Sequence, residues 1–129
     1  AADPLVTIGA HTRRHYALAK LTALEAEAEM SDSIDRLQGE LGRRPEHFSY
    51  PYGCPHSAGA REFAMAARLG MKTAVTTRKG MLFAEHGEQL MALPRLSLNG
   101  DYQDQRHLSV LLSGLPFYLW NGMRRMAPA

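Results

Sequence analysis

The segment LVTIGAHTRRH, residues 5–15, combines the pattern of a strand with two closely spaced histidines. Its first part, residues 5–9, is a short apolar run ended by Gly9, which predicts a β-strand. Its second part places His11 and His15 four positions apart. Side chains at that spacing lie one helical turn apart, with Cβ atoms about 5–6 Å from each other, so two imidazoles can converge on one metal ion. Two ordinary surface histidines have the same spacing, and both interpretations stay open at this point.

A long helix is predicted after the histidines, with residues 11–19 forming a loop or short helix in between. Thr22 is followed three positions later by Glu25, which is the spacing of a capping box. Gly42 is placed to end the helix near Leu41. The apolar residues that fall roughly on one face of this helix are Leu24, Ala28, Ile34, Leu37 and Leu41.

The second motif is FSYPYG, residues 48–53. A strand over residues 48–50 is expected to stop at Pro51, and Gly53 permits close backbone approach in the turn that follows. Such a turn can point a backbone N–H outward, as an oxyanion hole requires. A plain strand-ending turn with aromatic packing fits the same residues.

The next segments continue this alternation. Ser57 is a suitable N-cap for a second helix that ends near Leu69, before Gly70. Residues 71–77 have the pattern of a buried strand, and residues 78–90 read as irregular.

The last segments are a strand and a helix. Residues 92–98 predict a final strand, which Pro94 assigns to an edge or a strand start. Asp101 with Asp104 can open a final helix, which Pro116 should kink or end. Its apolar side consists of Leu108, Leu111, Leu112 and Leu115. Strands and helices in this order predict a parallel α/β arrangement.

Composition limits the class of protein. The 129 residues suffice for one domain or a large part of one, and 45% hydrophobic with 22% charged residues is ordinary for a globular chain. A net charge of +2, with arginines in scattered pairs, predicts no nucleic-acid partner. The single cysteine excludes an intrachain disulfide. We expect no transmembrane helix and see no signal peptide; one on a longer precursor would not be visible here.

In this order and at this separation, the motifs resemble the polysaccharide deacetylases, also called the NodB-homology or chitin-deacetylase-like family and carbohydrate esterase family four. The resemblance rests on His-Thr-x-x-His after a strand, a capped helix ending in Gly-x-x-Pro, and Phe-x-Tyr-Pro-Tyr-Gly. Residues 74–77 and 93–96 also look like segments of its members. It implies that residues 1–100 are the C-terminal part of a deacetylase domain and residues 101–129 a C-terminal helix and tail.

The resemblance implies an α/β fold, part of a distorted (β/α) barrel similar to a TIM barrel but lacking its first strands. It implies hydrolysis of N-acetyl, or sometimes O-acetyl, groups on a polysaccharide or oligosaccharide. His11 and His15 are implied as ligands of Zn²⁺ or another divalent metal. Thr12 is implied to stabilise their loop through a hydroxyl hydrogen bond.

The resemblance also implies a catalytic turn. The backbone N–H of Tyr52 would help to hold the oxyanion, and Pro51 with Gly53 would shape this substrate-binding turn. In the family, the metal polarises the acetyl carbonyl and activates a water, and an aspartate acts as the base.

Three departures from the family stand out. Its Asp-Asp motif, which supplies the base and the third ligand, has no counterpart, since the only acid before His11 is Asp3. Ser49 stands where many members have an arginine, and the Asp-x-x-Asp-Trp motif that pairs with it is missing. The late Leu-x-His motif aligns best with residues 96–99, which contain no histidine, and neither His86 nor His107 can be matched to it.

Other residues receive structural interpretations. Cys54 is expected to be a small packing residue, and residues 115–120 a docking tail more readily than a membrane contact. The histidines expected to be surface or satisfied polar residues are His47, His56, His86 and His107.

Three functional hypotheses follow. The first is a metal-dependent deacetylase of which this chain is an incomplete piece, inactive alone. The second is a non-catalytic carbohydrate-binding or regulatory remnant of the same fold. The third is an interaction module whose exposed sheet edge pairs with a partner. The expected partners are an acetylated polysaccharide or oligosaccharide, and either the missing N-terminal half or a second copy. The family suggests a location at the envelope or outside the cytoplasm.

Overall fold

The computed structural model describes residues 3–98, 100 and 104–122, and between residues 23 and 95 helices and strands follow one another along it. The helices are α1 (Ala23–Leu41), α2 (Ala60–Arg68), α3 (Gln105–Leu112) and α4 (Leu115–Trp120). The strands are β1 (His47–Ser49), β2 (Thr73–Lys79) and β3 (Leu93–Arg95), and two short 3₁₀ helices span Leu18–Lys20 and Ala84–Glu88.

The three strands form one parallel sheet in the order β1-β2-β3. Phe48 pairs with Ala74 and Val75 with Leu93, so consecutive strands are neighbours and connect by crossovers. Pro94 lies in the edge strand β3, where its missing N–H costs least, as predicted. The parallel α/β arrangement is confirmed, and the distorted barrel stays a prediction.

One hydrophobic core joins the sheet to both long helices. Phe48 of β1 and Ala74 of β2 are buried with side chains from α1 and α2. The largest fully buried members include Tyr50, Leu18, Met30, Ile34 and Met65. The core therefore fixes the carboxyl ends of β1 and β2 against the helices.

The predicted strand over residues 5–9 is wrong. The chain joins the sheet only at Ala10, whose N–H donates to the His47 carbonyl at 2.8 Å and whose carbonyl accepts the Ser49 N–H at 2.9 Å. Upstream, Asp3 holds a local turn, because its carboxylate accepts the Leu5 N–H and its carbonyl the Val6 N–H. Leu5 is 92% exposed, and no strand among the described residues packs against it to stabilise an extended conformation there.

Helix α1 begins and ends as predicted. The Glu25 N–H donates to Thr22 Oγ1 at 3.3 Å and the Thr22 N–H donates to Glu25 Oε2 at 2.9 Å, which completes the capping box. Gly42 follows in the left-handed conformation, with φ of 67°. The predicted apolar face is partly wrong, because Leu24 is 82% exposed. The buried residues of α1 are Ala26, Glu29, Met30, Ser33 and Ile34.

Helix α2 begins later than predicted, and Ser57 is not its N-cap. Gly59 takes that position, and its N–H donates to Glu62 Oε2 at 2.8 Å. The Ser57 hydroxyl instead donates to the Cys54 carbonyl at 3.0 Å. A carboxylate reaching back from the first turn therefore replaces the expected serine cap.

The predicted final helix is two short ones. Asp104 caps α3 by accepting the Arg106 N–H at 2.8 Å, whereas Asp101 and Asn99 lie outside the described residues. The break comes at Gly114, with φ of 75°, and Pro116 sits in the first turn of α4, where a proline is tolerated. No described helix combines the length and apolarity needed to cross a membrane.

Candidate functional site

Three side chains of the two motifs meet at the carboxyl ends of the first strands. The rings of His11 and His15 have centroids 4.8 Å apart, and those of His15 and Tyr52 are 4.9 Å apart, both edge to face. His11 follows the bridging residue Ala10, and Tyr52 follows β1. The three side chains therefore lie together, at the end of the sheet where parallel α/β folds place ligands.

The histidines approach each other through a loop and not through a helical turn, so the helical argument for their spacing is wrong. Thr12 and His15 have φ of 62° and 60°, in the left-handed region. The His15 N–H donates to Thr12 Oγ1 at 3.0 Å, which is the loop hydrogen bond that the resemblance implied. Left-handed backbone at non-glycine residues costs on the order of 1–3 kcal/mol each, so other contacts must stabilise the loop.

The tautomer of His11 follows from its partner. Its Nδ1 lies 2.6 Å from the Ser49 carbonyl oxygen, which can only accept, so Nδ1 carries the proton and donates. In the neutral imidazole, Nε2 then keeps its lone pair, which is the form that ligates a metal ion. The residue at position 49 thus contributes through its backbone, whatever its side chain.

The turn at Tyr52 is fixed on strand β2. Tyr52 has φ of 60°, and the Gly53 N–H closes a three-residue turn by donating to the Pro51 carbonyl at 2.7 Å. The Thr77 hydroxyl donates to the Tyr52 carbonyl, and the Thr77 N–H donates to the Gly53 carbonyl at 3.1 Å. No described residue accepts a hydrogen bond from the Tyr52 N–H, so this donor is available to a ligand.

Only glycine fits at position 53. A Cβ there would lie 2.5 Å from the Thr77 nitrogen, and φ is 59°. The steric reason that the sequence suggested for Gly53 is therefore observed. Pro51 is fully buried beneath the turn, whereas the Tyr52 side chain is 59% exposed.

The two histidines are ligands of the kind that a metal site uses, but two ligands are fewer than such a site normally has. Imidazole nitrogens suit zinc, which usually takes at least three protein ligands. Across residues 3–98, 100 and 104–122, no group of three or more His, Cys, Asp or Glu is placed to hold an ion.

A cavity of about 600 Å³ adjoins the histidine loop on the side of α1. It is lined by Gly9, His11, Thr12, Arg13, Asp32, Ser33, Asp35, Arg36 and Leu37. Its charged lining residues are Arg13 of the loop and Asp32, Asp35 and Arg36 of α1.

The other residues singled out from the sequence are not part of this ring cluster. Cys54 is half-buried and bonded to Ser57, and that hydrogen bond lowers the pKa of its thiol. His47 Nδ1 pairs with Thr73 Oγ1 at 2.8 Å, as expected for a satisfied histidine. His86 differs from expectation: it is only 3% exposed, and its Nε2 has no hydrogen-bond partner in the described chain.

Sequence reasoning missed Glu29. This carboxylate is 5% exposed on the buried side of α1 and accepts the Arg14 N–H at 2.8 Å, directly behind the histidine loop. The available signal was an acid between the apolar residues Ala26 and Met30 of an amphipathic helix.

Comparison with known proteins identifies the family. Residues 1–74 match the family model described as polysaccharide deacetylase, so the chain belongs to the polysaccharide deacetylase family. No curated protein matches it significantly.

Two solved structures are similar. The Streptococcus pyogenes deacetylase PplD, in complex with acetate, is 29% identical with a TM-score of 0.68, over 78% of this chain and 42% of that one. IcaB from Ammonifex degensii is 18% identical with a TM-score of 0.59, over 81% of this chain and 46% of that one, and supports the fold alone. The chain thus spans less than half the length of each.

Proposed function

We propose that this chain is the histidine-bearing part of a metal-dependent hydrolase that removes acetyl groups, N-linked ones in particular, from a polysaccharide or oligosaccharide. The observation that carries the proposal is the meeting of His11, His15 and Tyr52 at one sheet edge in a member of the polysaccharide deacetylase family. The similarity to a deacetylase structure solved with acetate supports the same reaction class.

Hydrogen bonds and ring contacts support a role for each of these residues. His11 and His15 would hold Zn²⁺ or another divalent ion, and such an ion polarises a carbonyl and activates water. Ser49 orients His11 through its carbonyl oxygen. The Tyr52 N–H would donate to the oxyanion, and the left-handed turn with Pro51 and Gly53 positions it for substrate binding.

The base and the third ligand are assigned to polypeptide outside this sequence. Asp3 is the only acidic residue before His11 in the sequence, and its carboxylate accepts a hydrogen bond from the Leu5 N–H. We therefore expect that the 129-residue chain alone does not release acetate from acetylated glucosamine oligomers at an appreciable rate. Acetate release from the purified chain that a chelator abolishes would contradict this division of the site.

The alternative is a non-catalytic carbohydrate-binding or regulatory protein of the same fold. It is favoured by one observation, namely that the described residues bring together two potential ligands and no carboxylate. From the family, we propose that the protein meets its substrate at the cell envelope or outside the cytoplasm.

The deciding experiment measures acetate release by the protein of the complete open reading frame, supplied with Zn²⁺. We expect activity on acetylated glucosamine oligomers, and a loss of at least roughly 100-fold in kcat/KM for His15→Ala. His56→Ala is the matched control, since His56 is exposed and outside the ring cluster. Oligomer binding without acetate release would favour the alternative.

A further inference from the structure

Glu29 of α1 contacts Arg13 and Arg14, two of the residues between the histidines of the loop. Its Oε2 accepts the Arg14 N–H at 2.8 Å, and its Oε1 lies 3.7 Å from Arg14 Nη1. Its carbonyl accepts the Arg13 N–H at 3.2 Å. We propose that Glu29 is a positioning residue that helps to keep the loop from His11 to His15 in the conformation that brings the two imidazoles together.

The loop needs such an anchor because its backbone is unfavourable. Thr12 and His15 both have positive φ, which non-glycine residues adopt only where surrounding contacts impose it. The hydrogen bond from the His15 N–H to Thr12 closes the loop on itself but attaches it to nothing else. Glu29 attaches it to a helix whose neighbouring side chains, Ala26 and Met30, are fully buried in the core.

The chemistry of Glu29 suits this role. A carboxylate buried to this degree destabilises the fold unless it is hydrogen bonded, and an N–H donated to a charged acceptor is among the stronger hydrogen bonds. The Arg14 guanidinium is 57% exposed and adds only a weak ion pair at its distance. The backbone N–H of Arg14 is therefore the contact that matters most.

Hydrogen exchange by mass spectrometry on the full 129-residue chain tests the proposal in four variants. In Glu29→Ala, the exchange rate of the Arg14 amide hydrogen should rise by roughly 10- to 100-fold, as seen in peptides that cover residues 11–17. The exchange rates of α2 peptides should stay unchanged. Glu29→Gln keeps an acceptor and should restore most of the protection. Arg14→Ala keeps its backbone N–H and should behave nearly as the parent chain. Glu27→Gln is the control, because Glu27 is on the same helix but pairs with Arg68 at the surface.

A second readout reports on the imidazoles themselves. Exchange at the histidine C2 position should change at least about twofold for His11 and His15 in Glu29→Ala but not for His47, which bonds to Thr73. The proposal is overturned if Glu29→Ala matches Glu27→Gln, if loop and α2 exchange rise together, or if the glutamine variant behaves like the alanine one. The catalytic meaning of Glu29 rests on the proposed function, but neither readout uses acetate release, so the two can fail separately.

Discussion

Replacing Gly53 by alanine tests how the Tyr52 turn is built. The new Cβ would lie 2.5 Å from the Thr77 nitrogen and 3.0 Å from the Thr76 carbonyl carbon, both backbone atoms, at φ of 59°. The left-handed conformation costs alanine about 1–2 kcal/mol, and relieving an overpacked contact about 1–3 kcal/mol more. We expect Gly53→Ala to lower the free energy of unfolding by about 2–5 kcal/mol, against a total of about 5–15 kcal/mol for a typical domain.

Gly70→Ala is the matched control, because Gly70 also has positive φ, of 77°, but no atom lies within 4 Å of the Cβ that an alanine would add there. It should cost only the conformational part, about 1–2 kcal/mol. Urea unfolding at one fixed protein concentration measures both, with a slope of about 1–3 kcal/mol per molar urea. Equal midpoints for the two variants would refute the close packing of the turn on β2.

Three further predictions concern stability and association. Gly39→Ala should stabilise the chain by about 1 kcal/mol in the same urea assay, because Gly39 lies within α1 with open space around it. A destabilised variant would contradict the helix assignment. Burial, with a smaller effect of the Glu62 charge, raises the pKa of Tyr50, so the neutral phenol stabilises the fold below the unfolded value of about 10 and this contribution is lost as pH rises above it. Tyr50→Phe loses a hydrogen bond to Met91 worth about 1 kcal/mol. Above about pH 10, its free energy of unfolding should fall less steeply with pH than that of the parent chain or of the Tyr118→Phe control. Equal slopes of unfolding free energy against pH would contradict the burial of Tyr50. The chain should self-associate or aggregate at micromolar concentration, because Leu5 is 92% and Trp120 is 72% exposed. Covering about 600 Å² of apolar surface stabilises a contact by very roughly 15 kcal/mol before entropic costs. Sedimentation measures this, and a monodisperse monomer would contradict it.

Local chemistry made helix α1 predictable from sequence, and the three strands of the sheet were also predicted. The capping box of Thr22 with Glu25 and the terminating Gly42 lie within a few positions of the helix ends, so their effect needs no tertiary context. The strand over residues 5–9 was not predictable in the same way. Its apolar residues favour a strand only where a neighbouring strand can pair with them. In this chain the hydrogen bonds to Asp3 form a local turn instead.

The sequence indicated the candidate site residues, but not the backbone geometry that joins them. The motifs indicated His11, His15 and Tyr52, yet positive φ angles and not a helical turn bring the rings together. Glu29 escaped notice because its partner is a backbone N–H fifteen residues earlier, and such a long-range contact leaves no spacing pattern. The Ser57 cap failed because Glu62 competes for the same helix end.

Zinc-edge X-ray absorption on the zinc-loaded protein of the complete open reading frame tests whether His11 and His15 together hold the metal of a deacetylase site. We expect two imidazole nitrogens at about 2.0–2.1 Å from the zinc ion, one of which is lost in His15→Ala. An unchanged number of histidine ligands in that variant, or a sulfur at about 2.3 Å from Cys54, would contradict it.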